Sequence, residues 1–151
     1  MIKKVLIVFI LLFLSPIFSI PALGFENVEI FDFSKEEVVK IMPSTPKIQK
    51  EVKRYLSDIT GIYAKFNPIP EKGFAVKVLL QPPVAVKNQH ISSTVDEVII
   101  VFPKEDKPFL MVFEADDNLI CYDFNSKTNK LLKRLNFPLD YNVHPETLKT
   151  E

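Results

Sequence analysis

The chain has 151 residues, in which nineteen Lys and Arg balance nineteen Asp and Glu, with two His, one Cys and no Trp. That balance excludes the broad positive field that nucleic acid or anionic lipid requires. With Gly24, Gly61 and Gly73 as its three glycines, the chain has no P-loop or dinucleotide fingerprint, and a lone cysteine forms no internal disulfide.

Met1-Ile2-Lys3-Lys4 is a short positive start, and the apolar run from Val5 to Leu14 follows it. Ten such residues make about 15 Å of helix, half of a hydrocarbon core roughly 30 Å thick. Pro16 and Pro21 disfavour continued helix, and Ala22-Leu23-Gly24 puts small residues where a signal peptidase needs them. A secretory signal over 1–24, cleaved before Phe25, is the leading expectation. An uncleaved anchor is the alternative, since residues 5–24 carry no charge; a buried core helix would need a larger domain to cover it. Lipoprotein processing needs a cysteine near the cut, and the single cysteine is Cys121. Either surviving reading keeps Lys3 and Lys4 inside and places the rest of the chain outside the cytoplasm.

Without Lys3 and Lys4, seventeen basic residues face nineteen acidic ones, so the remaining domain is near −2. Residues 25–139 are enough for one core, and 140–151 read as a tail with little periodicity. A first strand is expected near 27–32. Ser34-Lys35-Glu36-Glu37 fits a capping box, which predicts a short helix through Ile41 or Met42, ended by Pro43. Thr45 then suits an N-cap and Pro46 the N1 position. Ile48, Val52, Tyr55, Leu56 and Ile59 trace one apolar helical face, with Lys47, Lys50, Glu51, Arg54 and Asp58 covering much of the rest, and Gly61 is placed to end the helix near residue 60.

Ile62 to Phe66 and Phe74 to Leu80 read as strands. Pro82-Pro83 interrupts the second and leaves Val84 and Val86 for a short edge strand, with a polar loop over 88–94. Three strand-length runs follow: Val98–Phe102, Phe109–Phe113 and Leu119–Phe124. Their separators are too short for parallel crossovers, so an antiparallel meander is expected. The first two runs are apolar at nearly every position, which predicts burial on both faces or an interface on one. Ser126 to Leu135 reads as a last helix stopped at Asn136-Phe137-Pro138. The fold class is α+β: an antiparallel sheet with a meander in its C-terminal half, packed by an amphipathic helix and short flanking helices.

Chemistry-bearing residues are sparse. His90 and His144 lie far apart and show no metal-ligand spacing. Cys121, between Ile120 and Tyr122, reads as a small buried hydrophobe with no adjacent base to activate it. Asp116-Asp117-Asn118 lacks the spaced ligands of a calcium loop and is explained by a hairpin turn. Asp96-Glu97 with Glu114 forms an acidic cluster only if their strands pair suitably. No catalytic residue, metal or cofactor is assigned. The aromatic residues are either core beneath the helices or a surface patch. In the second case Tyr63, Phe66, Phe109, Phe113 and Tyr122, with His90, are the candidate binding residues for a protein partner, a cell-wall polymer or a second copy.

The stretch Ile62-Tyr63-Ala64-Lys65-Phe66-Asn67-Pro68-Ile69-Pro70, with Val95 to Pro103 and Pro108 to Phe113, resembles small exported proteins of Bacillus-like, spore-forming, Gram-positive bacteria. The resemblance implies a cell-envelope setting and carries no catalytic or ligand residues onto these positions. The expected function is an extracellular or cell-envelope binding or accessory domain without catalytic activity; a small secreted hydrolase using scattered Asp, Glu or His residues is the alternative. Membrane contact is expected only through an uncleaved N-terminal segment.

Overall fold

β-branched and aromatic residues dominate the strand segments, and all of them join one sheet. The computed structural model describes residues 27–65, 68–114 and 118–137. The strands in chain order are β1 (Asn27–Asp32), β2 (Glu37–Pro43), β3 (Ile59–Ile62), β4 (Gly73–Lys87), β5 (Ser92–Pro103), β6 (Phe109–Phe113) and β7 (Leu119–Phe124). The helices are α1 (Pro46–Ser57), between β2 and β3, and α2 (Asn129–Leu135), after β7. Spatial order is β2-β1-β4-β5-β6-β7-β3, and every neighbouring pair is antiparallel. This is the expected α+β fold, with the meander β5-β6-β7 as its C-terminal half.

The short helix expected after Ser34 is instead strand β2. Asp32 is buried, and its Oδ1 accepts the amides of Ser34 (2.8 Å) and Lys35 (3.2 Å), which turns the chain back on itself. Glu36 completes the turn at φ +55°, and Val38 to Pro43 then pair with β1. A helix confined between Ser34 and Pro43 has too few turns to hold itself, whereas β-branched Val38, Val39 and Ile41 suit a strand.

Helix α1 starts as its sequence dictates: Thr45 is extended, its hydroxyl accepts the Ile48 amide at 3.2 Å, and Pro46 occupies the first turn. Its end differs from the expectation. Asp58 caps it, and Gly61 lies in β3, where a register shift against β7 separates Ile59 from Gly61. Glu51 does not face solvent. It is buried beside Arg54, with Nη2 to Oε2 at 2.6 Å, and the same guanidinium donates to Lys127 O at 3.1 Å, tying α1 to the segment before α2.

Both helices lie on one face of the sheet. Beneath them Val28, Ile30, Val76, Val78, Ile100, Leu110, Val112 and Tyr122 meet Ile48, Val52, Tyr55, Leu56, Leu131 and Leu135 in one core. Phe74 stacks on Phe102 with centroids 4.7 Å apart, and Phe137 closes on Phe74 at 5.2 Å. Gly73, at φ +117°, makes the entry to β4: a Cβ there would lie 2.2 Å from Phe102 O.

Strand β4 is not cut at Pro82-Pro83. It runs on to Lys87, and the discontinuity is a register shift against β5 between Leu79 and Val84. Beyond Lys77 β4 pairs with no β1 residue among the described residues, so the prolines sit where no described second strand needs their N–H. Gln49 serves the backbone there: its Nε2 donates to Leu79 O (2.6 Å) and Ser44 Oγ (2.9 Å), and its Oε1 accepts the Gln81 amide (3.2 Å). The expected 88–94 loop shrinks to a turn in which Asn88 Oδ1 accepts the amides of His90 and Ile91. At the far end of the sheet, Lys40 Nζ of β2 donates to Leu135 O (2.7 Å) and Asn136 O (3.0 Å), the C-terminal end of α2.

Candidate functional site

Among the described residues, no helix lies on the opposite sheet face. Pairing places Glu29, Lys77, Ile99, Met111 and Cys121 in one row across β1, β4, β5, β6 and β7. The next row is Val38, Phe31, Ala75, Val101 and Phe109, from β2 to β6. Toward β6 this face closes into a second, smaller core, where Tyr63 stacks on Phe109 with centroids 4.1 Å apart and planes 6° from parallel. A polar clamp holds that lid. The Tyr63 hydroxyl donates to Asp106 Oδ2 at 2.7 Å, the Lys65 ammonium bonds the same oxygen, and the Lys107 amide donates to Oδ1. Burial raises the Asp106 pKa, but the bonds from Lys65, Tyr63 and Lys107 outweigh it and bring the carboxyl down to about 2. Burial, then the Asp106 hydrogen bond, raises the Tyr63 pKa.

Toward β2 no described element covers the same face, and a groove of about 930 Å³ crosses it. Phe31, Val38, Ala75, Ile99 and Met111 form its floor. Phe33, Ser34 and Glu36 from the β1–β2 turn, and Ile69, Pro70 and Glu71 from the segment before β4, form its walls. Ile69 and Val38 are 60% and 45% exposed. An ion ladder flanks the floor: Lys77 Nζ is 3.5 Å from Glu29 and 4.0 Å from Glu97.

The sequence-based candidates do not form one site. Tyr63 and Phe109 belong to the small core just described, and Tyr122 is sealed in the main core with its hydroxyl donating to Glu114. Burial, then the Glu114 bond, raises the Tyr122 pKa. Phe113 is 38% exposed and pairs with Leu119 at 44%, away from the groove lining. His90 sits in the β4–β5 turn with Nε2 3.0 Å from Gln89 Nε2, and no carboxylate among the described residues reaches it. Phe66, His144, Asp116 and Asp117, the signal segment and the tail lie outside the described residues. Cys121 is half-buried, and burial raises its thiol pKa. Val38, Ile69 and Ile99, which the sequence does not single out, are among the apolar residues the groove leaves open, while Met111 is buried; the signal for Ile99 and Met111 is the run of apolar residues on both faces of β5 and β6, and Val38 and Ile69 carry none.

A second depression, about 740 Å³, lies beside the β4–β5 hairpin and includes Ser92, Ser93, Thr94, Asp96 and Glu114. It brings Asp96 and Glu114 to one concavity, while Glu97 points to the ladder on the other face. Among the described residues no group of three or more His, Cys, Asp or Glu is placed to hold a metal ion, and no helix is long and apolar enough to cross a membrane. Comparison of the chain with protein-family models, curated proteins and solved structures gave no match.

Proposed function

We propose that this chain is a binding or accessory domain that works outside the cytoplasm, with the groove on the helix-free sheet face as its site. The observation that carries this reading is the groove itself: an apolar floor open to solvent at Val38, with Ile69 exposed in its wall. Concave, mostly apolar surfaces with a few placed polar groups are where ligands bind. The N-terminal apolar run after Lys3 and Lys4 supports an extracytoplasmic setting, and the resemblance to exported proteins of spore-forming bacteria supports the cell envelope.

Nile red, a neutral dye that brightens in apolar surroundings, reports on the site directly. Titrated into the purified protein it is expected to bind saturably at one site, and Val38→Asp with Ile69→Asp is expected to abolish that binding while circular dichroism stays unchanged. Dye binding that survives both substitutions, or no saturable binding at all, removes the groove as the site.

The competing reading is a small hydrolase, and Asp96 with Glu114 in the second depression is the arrangement that favours it. Hydrolysis of any arrayed glycan or peptide substrate, lost in Asp96→Asn and Glu114→Gln, would establish it in place of the binding role.

A further inference from the structure

Strand β2 ends the sheet on one side, and among the described residues nothing pairs with its outer edge. Such an edge offers a row of unpaired amides and carbonyls to an extended chain. Its register with β1 sets Lys40 beside Ile30 and Met42 beside Val28, on the side of the main core. The same register sets Val38 beside Phe31 and Ile41 beside Glu29, on the groove side. Val38 and Ile41 are 45% and 60% exposed, so β2 carries two uncovered apolar side chains on that face. Little guards the edge: a register shift that leaves Val39 unpaired, Pro43 at the end, and one lysine. That lysine, Lys40, turns its ammonium to α2.

The chain leaves α2 beside this strand. Lys40 Nζ accepts no carboxylate partner among the described residues; it donates to Leu135 O and Asn136 O, which sets Asn136 about one lysine side chain's length from β2. Pro138 bars further helix. Leu139-Asp140-Tyr141-Asn142-Val143 then alternates strictly between apolar and polar for five residues, with Pro145 beyond it, while residues 144–151 show no such pattern. Val38 to Met42 is also five residues, bounded by Pro43. We propose that residues 139–143 add to the outer edge of β2 as an eighth strand. Leu139, Tyr141 and Val143 then cover Val38 and Ile41 on the groove side. Asp140 stands on the other side, where it supplies the Lys40 ammonium with a counter-charge. A second copy of the chain is the competitor for this edge, but a segment tethered a few residues away acts at millimolar effective concentration.

Nuclear magnetic resonance on the whole chain tests this. Cross-strand proton contacts between Val38–Met42 and Leu139–Val143 are expected, unchanged on dilution. The β2 amides not bonded to β1 are expected to exchange at least about tenfold more slowly than in an open edge. In Tyr141→Pro, which removes one strand amide, that slowing is lost while the β1, β4 and β5 amides stay protected. Outer β2 amides that exchange as freely as in an unfolded chain overturn the proposal, as does slowing that survives Tyr141→Pro. Contacts or protection that appear only as concentration rises give the edge to a second copy instead. Should the proline variant fail to fold, the proton contacts in the unaltered chain decide alone.

Discussion

Residues one step apart along β5 and β6 meet different surroundings. Ile100, Phe102, Leu110 and Val112 are sealed beneath α1 and α2, while Ile99 is only partly covered and Phe113 is exposed. The strands read as uniformly apolar, yet one set of side chains fills the main core and the other divides between a small second core and a surface. Even that second surface is divided: Tyr63 and the Asp106 clamp close it near β6, and no described element closes it near β2. Apolar composition alone therefore does not separate core from site. What separates them is which residues find a covering element, and α1 with α2 cover one face only.

Substitutions should respond accordingly, and the largest response belongs to the covered face. Phe102→Ala removes a fully buried ring stacked on Phe74 and is expected to cost about 3–5 kcal/mol, measured by urea unfolding, against a total stability of roughly 5–15 kcal/mol. A loss below 1 kcal/mol would mean the core is not packed as described. Next comes Gly73→Ala, where the positive φ and the collision with Phe102 O predict a loss of about 2 kcal/mol or more in thermal or chemical melts. Gln49→Ala strands Leu79 O and the Gln81 amide and is expected to cost about 2 kcal/mol; a neutral result would show that water replaces the amide without penalty.

On the half-closed part of the other face, the Asp106 clamp has a pH signature. Its carboxyl titrates near 2 in the folded protein, below its ordinary 3.8. Its contribution is therefore present above about pH 4 and lost as pH falls toward 2. Unfolding curves across that window should flatten by about 1 kcal/mol in Asp106→Asn, and an unchanged acid dependence would remove the clamp from the account. The smallest effect belongs to the open end: Val38→Ser is expected to change stability by no more than about 0.5 kcal/mol while weakening Nile red binding. Destabilisation as large as that of a core residue would show that the groove floor is structural instead.

Local rules made much of this molecule legible. Thr45 and Pro46 announce α1 because capping chemistry acts over four residues, and the meander follows from separators too short for any crossover. The same locality misleads at Ser34. Its spacing to Glu37 satisfies the capping-box pattern, and only Asp32, two residues earlier, and the β1 strand beyond it redirect the chain into a hairpin. Gln49 carries no mark at all, since its partners at Leu79 and Gln81 lie some thirty residues away. The groove is less legible still. Its floor draws one or two residues from each of five strands, so no continuous stretch records it. The aromatic candidates are conspicuous in sequence because they are large, and size is also what sends Tyr63, Phe109 and Tyr122 inward.

The Lys40 ammonium, bonded to the last carbonyls of α2, joins the β1–β2 hairpin to α2 across ninety-five positions. An outermost strand ordinarily peels from its sheet first. Here peeling must also break the Lys40 bonds to the end of α2, so β2 and α2 share a single latch. Hydrogen exchange should therefore find the β2 and α2 amides opening together, and Lys40→Met should release them to exchange at separate rates.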